Sequence, residues 1–186
     1  MTVLIIVLVV VIALVVFGVV GFNKLRTTDI GAQEALGGID VQLTRRSDLI
    51  PNLVETVKGY ASHERGVFEA VTQARAAAAS PGSTPAAQAQ QEGILGQALG
   101  RLFAVAEAYP DLKASTNFLE LQRQLTETED RIAAGRRFYN ANVRALNTRV
   151  ESFPSNIVAS TFNFKQAEYF EVEDAAIRSA PSVDFS

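Results

Sequence analysis

The chain of 186 residues contains no cysteine and no tryptophan, and only one histidine. Without cysteine there is no disulfide framework, no thiolate nucleophile and no thiolate metal site, and the redox compartment stays open. A lone His63 also rules out the paired Glu-x-x-His motifs with which helical bundles hold two metal ions; the residue three before it is Tyr60. Charge of neither sign dominates. Lys+Arg 17 against Asp+Glu 20 gives a net charge of -3, spread in mixed sign, and this lacks the basic stripe of a nucleic-acid surface. Neither a G-x-x-x-x-G-K-[ST] phosphate loop nor a G-x-S-x-G elbow occurs. Aromatics are few, 11 Phe and 4 Tyr, as in a lean helical core rich in Ala and Leu. No catalytic residue, cofactor site or metal site is expected.

The first feature present is a run without charge. Residues 3–22, VLIIVLVVVIALVVFGVVGF, are apolar throughout, and the first charged side chain is Lys24. About 20 apolar residues are what a helix needs to cross the hydrocarbon core of a bilayer. A cleaved signal peptide needs a basic start, a shorter run and a small-x-small cleavage site. Met1 and Thr2 supply no basic residue and Gly18-Val19-Val20 is a poor cleavage site, so the expectation is an uncleaved anchor that contacts membrane lipid. Lys24 and Arg26 follow the span directly, and the excess of basic residues on that side favours a cytoplasmic C-terminal domain at the cell membrane.

Beyond the anchor the pattern is helical. Leu25, Ala32, Leu36, Ile39, Leu43 and Ile50 fall three, four or seven apart, the spacing of one apolar seam of coiled-coil type. Leu53, Val57, Tyr60, Glu64, Val67, Val71 and Ala78 continue it, with one charged interruption, past Pro51, which removes one backbone donor and predicts either a kink or a new first turn, with Asp48 or Asn52 helping to satisfy the broken turn. SPGSTP, residues 80–85, is a turn with Thr84 as N-cap and Pro85 at the first helical position. A third helix follows to about Ala108, with Ile94, Ala98, Leu102 and Val105 inward, and Pro110 ends it. Asn117 and Glu120 form a variant capping box for a fourth helix seamed by Phe118, Leu121, Leu125, Thr128, Ile132, Gly135, Tyr139, Val143, Leu146 and Val150. The fold class expected is all-α: a transmembrane helix continuing into an elongated antiparallel bundle of about four helices. Its divisions are an anchor over 1–23, a bundle over 24–152 and an aromatic, acidic tail over 153–186.

Two segments carry a resemblance. IDVQLTRRSDLIPNLVETVKGYASHE and LGRLFAVAEAYPDLKASTNFLELQRQLTETEDRIAAGRRFYNANVRALNTRVESFPSNIVA closely resemble the conserved region of LemA family proteins, across residues 23–170. The resemblance implies a bacterial, membrane-anchored α-helical protein, a divergent relation to magnetosome membrane-forming proteins, and no assigned enzymatic activity. Many relatives read FKPAEYF where this chain reads FKQAEYF, so Gln166 puts in doubt a helix start set by that proline.

The residues singled out for function are interaction candidates. Arg45, Arg46 and Pro51 read as solvated face residues around a broken turn or as a docking site, and Arg136 and Arg137 form a second basic pair. Glu127, Glu129 and Asp130 read as a surface salt-bridged to Arg123 and Arg131. Gly93, Gly96 and Gly100 mark tolerated flexibility or close packing on a partner helix. Phe153, Phe162, Phe164, Tyr169 and Phe170 cap the bundle's end, lie on the membrane surface or fill a groove in a neighbouring subunit. Two readings result: a scaffold that self-associates as a homo-oligomer and organises or shapes a membrane patch, and an adaptor for a membrane protein such as a protease or transporter. A triad enzyme using His63 ranks behind both, because SHER places that residue on a polar helix face with nothing to orient it.

Overall fold

The computed structural model describes residues 1–171, and every regular element among them is a helix. Four are long: α1 (Thr2–Lys58), α2 (Arg65–Ala78), α3 (Pro85–Glu107) and α5 (Thr116–Glu151). Two are short, α4 (Pro110–Lys113) and α6 (Ser155–Thr161). The seven residues of α6 are too few to display a helical period in the sequence.

The anchor and the first seam are one uninterrupted helix. Along residues 3–20 of α1 the large apolar side chains are between 40% and 74% exposed, so none of the described residues covers them. Further on, Leu25, Ala32, Ile39, Leu43, Ile50, Leu53 and Val57 are buried, which is the seam the spacing predicts. Pro51 neither ends the helix nor starts one. The boundary expected there falls instead at 59–64, where Tyr60 is exposed and Ala61 is buried in its place. Accordingly α2 is phased on Phe68, Val71 and Ala74, and His63 lies in a turn, not on a helix face. In α3, Thr84 accepts a hydrogen bond from the Ala87 amide at 3.4 Å and Pro85 opens the helix, as read. Its inward face is Leu95, Ala98, Leu99, Leu102 and Ala106, while Ile94 is exposed.

The described residues fall into two units, 1–46 with 125–169 and 47–124 with Phe170 and Glu171; α1 and α5 supply residues to both. In the first, α5 runs opposite to α1. Arg46 bonds Glu129, Gly135 faces Ile39, Gly31 faces Asn142 and Arg149 reaches Thr28. Past the end of α5, Val158 and Ala159 of α6 are buried with Leu25 and Leu146. Residues 164–169 are not helical, and no helix starts at Gln166. Asn147 fixes this segment by donating to the Ala167 carbonyl and accepting from the Ala167 amide, both at 2.9 Å. Tyr139 donates to the Glu168 carbonyl at 2.7 Å.

In the second unit, Leu53, Val57, Val71, Leu95, Leu102 and Leu112 are among the fully buried side chains. The expected cap of α5, Asn117, does other work. The helix begins at Thr116, Asn117 donates to the Thr56 hydroxyl at 3.2 Å, and the Glu120 carboxylate is engaged by Arg123 and Gln124. Glu173 and Asp174, part of the expected acidic tail, lie outside the described residues.

Candidate interaction surfaces

A proline inside a helix leaves the carbonyl four residues earlier without its amide partner. For Pro51 that carbonyl belongs to Ser47, and the Nε of Arg75 on α2 donates to it at 2.7 Å. Sequence reasoning places the repair with Asp48 or Asn52. A guanidinium 28 residues along the chain performs it, because α2 turns back beside this part of α1.

The arginine pairs have separate fates. Arg46 is only 3% exposed and its Nη1 lies 2.5 Å from Glu129 Oε1, so the solvated-face reading is wrong for it; a buried guanidinium needs such a partner. Arg45 and Arg136 are half-buried, and Arg137 is exposed beside Phe138, which is 63% exposed. Of the acidic cluster, Glu127 pairs with Arg131 four residues on at 2.6 Å. Glu129 turns to Arg46 across the helices instead. Arg123 engages Glu120 through both Nε and Nη2, at 2.9 and 2.7 Å. Those bonds, with a further one from Gln124, hold the exposed Glu120 carboxyl down to about 2.

The glycines divide in the same way. A Cβ on Gly96 or Gly100 would meet nothing within 4 Å, so neither is a point of close approach inside the chain, and Gly93 is half-buried. The close approaches are elsewhere. A Cβ on Gly135 would lie 3.0 Å from Ile39 Cγ1, and one on Gly21 would lie 3.2 Å from Val158 Cγ2.

Aromatic residues gather at the foot of α1. Phe22, at the end of the apolar run, meets Phe162 edge-on at 4.8 Å between ring centroids and Phe164 at 5.7 Å. Phe162 stays 55% exposed, and Phe164 and Tyr169 are half-buried. Phe170 belongs to the second unit and is fully buried. Phe153 at 80% and Ile157 at 54% exposed stand at the same end as Phe162. Ile157 has no signal in the sequence, since a single apolar residue near a proline carries no period. Among the described residues no three His, Cys, Asp or Glu side chains group as metal ligands would. What the geometry offers is surface: an uncovered apolar helix, an aromatic foot beside it, and exposed Arg137 with Phe138.

Two magnetosome proteins of Paramagnetospirillum magneticum, MamQ 1 and MamQ 2, are each 28% identical to the chain over 83% of its length, and MamQ of Magnetospirillum gryphiswaldense is 26% identical over the same share. The chain spans 66% of the length of these magnetosome relatives. Protein LemA of Metamycoplasma hominis is 25% identical over 82% of the chain and 69% of its own length. The family pattern itself matches residues 35–185, most of the sequence, and the chain belongs to the LemA family.

Proposed function

We propose that this protein is a non-enzymatic, membrane-anchored helical scaffold that self-associates and organises or shapes a patch of membrane. The observation that carries the reading is the apolar run of 3–22, whose large side chains are exposed as far as Val20 and which is continuous with the helix that builds the domain. A rigid helical join transmits the domain's position to the bilayer, which a flexible linker would not. Similarity to magnetosome proteins supports a membrane role of this kind. In this reading the long helices form an antiparallel bundle, and Gly93, Gly96 and Gly100 on α3 receive a helix of a second copy. In the same reading the C-terminal domain lies in the cytoplasm, the side that basic Lys24 and Arg26 after the span favour. The test is the particle mass of the full-length protein in mild detergent over a wide concentration range. Discrete multimers support the scaffold; a monomer throughout removes it.

One observation favours a second reading, an adaptor for a membrane protein. Arg137 and Phe138 are exposed at consecutive positions of α5, and arginine is among the residues enriched at binding hot spots. Under that reading Arg137→Glu abolishes a co-purifying partner while helicity is retained.

A further inference from the structure

We infer that α6 and the turn before it form a second membrane contact, an apolar collar of Phe153, Ile157 and Phe162 that enters the interfacial layer of the bilayer around the foot of α1. The inference rests on the reading of residues 3–22 as a membrane span. Its first support is level. Phe162 touches Phe22, the last residue of the apolar run, and Val158 of α6 faces Gly21. Arg149, near the end of α5, reaches Thr28. Phe153 lies between these two attachments in sequence, so the collar is tied to α1 between residues 21 and 28, roughly 10 Å of helix. Headgroups and interfacial groups occupy a layer of about 5–7 Å on each side of the hydrocarbon core, so the attachments bracket that layer when Phe22 marks its inner edge.

Exposure is the second support. α6 commits Val158 and Ala159 to the core and leaves Ile157 exposed, flanked by exposed Phe153 and Phe162. The described residues leave Phe153, Ile157 and the outer part of Phe162 uncovered beside the span, and a bilayer encircles a single span on every side. Chain course is the third. α5 descends toward the boundary and stops at Glu151, so a helical backbone does not continue into hydrocarbon, and α6 starts four residues later. Polar groups at the same level suit phosphate: Lys24 and Arg149 line an open cleft with Val20 and Thr27. Exposed Glu151, at the end of α5 beside the collar, disfavours a requirement for anionic lipid, so the partner is the interface of a zwitterionic phospholipid bilayer.

The absence of tryptophan makes the test free of background. Single variants Phe153→Trp, Ile157→Trp and Phe162→Trp of the full-length chain are reconstituted into phosphatidylcholine vesicles brominated near the carbonyl end of the acyl chains. Ile12→Trp, at mid-span, reports the span in parallel vesicles brominated near the methyl end of the acyl chains. Phe138→Trp, exposed on α5 between the Gly135–Ile39 and Asn142–Gly31 contacts, reports a remote surface. Circular dichroism of each sample confirms helicity, and three collar positions ensure that one unfolded variant does not decide the outcome. The expected result is loss of emission at residue 12 and at the collar, none at residue 138, unchanged by high salt, since burial of rings is not screened. Quenching at residue 12 with water-like, unquenched emission at the collar overturns the inference and leaves the anchor standing. Blue-shifted but unquenched collar emission overturns it in favour of a second copy or a protein partner. Quenching at residue 138 as well means the whole domain lies on the vesicle, and the collar has no distinct role. An unquenched residue 12 removes the span, and the collar with it.

Discussion

At the scale of single residues, the molecule satisfies polar groups with distant partners. Pro51 forfeits one helix hydrogen bond, and Arg75 restores a donor to the orphaned Ser47 carbonyl. Arg75→Met keeps most of the aliphatic length but leaves that carbonyl unbonded, at an expected cost of about 1–3 kcal/mol. In a Pro51→Ala background the new amide serves the same carbonyl, so the loss from Arg75→Met shrinks. Denaturant unfolding of the four proteins measures the coupling, expected at about 0.5–3 kcal/mol, and strict additivity would show that the two residues are independent. Tyr139 gives a prediction in pH. Burial first, then the charge of Glu168, raises its phenol above the ordinary 10.0. The protonated phenol is the form the fold favours, so its contribution is complete below the ordinary value and disappears as pH climbs through the raised one. Ultraviolet titration of the four tyrosines should show a late-ionising component that Tyr139→Phe deletes; its persistence in that variant would assign it elsewhere.

At the scale of elements, glycine separates the helix contacts within the chain from those left open. A methyl group added at Gly37, Gly38, Gly96 or Gly100 would have nothing within 4 Å, so alanine at each should stabilise by roughly 0.5–1 kcal/mol through helix propensity. Gly135→Ala should do the reverse. Its methyl would press on Ile39, itself 1% exposed, and overpacking costs about 1–3 kcal/mol against that smaller gain. Thermal melts of the five variants test the contrast, and a uniform rise would mean α1 and α5 can part at no cost. If α3 receives a second copy at its glycines, Gly96→Ala and Gly100→Ala also weaken self-association while raising the melting temperature. The α5 seam was legible because a 3.6-residue period persists from Phe118 to Leu146, and each apolar member of it in that range is buried. The break at 59–64 was not, because Tyr60 and Val67 kept the spacing after the helix had ended and no proline marks the loop. Of the candidate surfaces, the apolar run was evident from length alone. Burial of Arg46 was hidden, since Glu129 lies 83 residues away in sequence and residue type alone reads as solvated.

For the whole molecule the proposed scaffold turns on confinement. A chain held by one helix in a bilayer loses a dimension of diffusion, and contacts too weak to assemble it in solution act at a raised effective concentration. Exposed Arg137 and Phe138, and the open glycines of α3, are the surfaces on which such contacts would fall. Assembly should therefore follow surface density, not bulk concentration. Energy transfer between two dye populations of full-length protein in vesicles should rise with the protein-to-lipid ratio. It should stay constant when the whole suspension is diluted with buffer at a fixed ratio. Random neighbours in a plane also give some transfer, so an unrelated single-span protein at equal density sets the baseline. Transfer above that baseline, reduced by Gly96→Ala with Gly100→Ala, would place the contact on α3. Transfer equal to the baseline at every density would leave the chain a dispersed monomer and make the adaptor the better account of its helical surface.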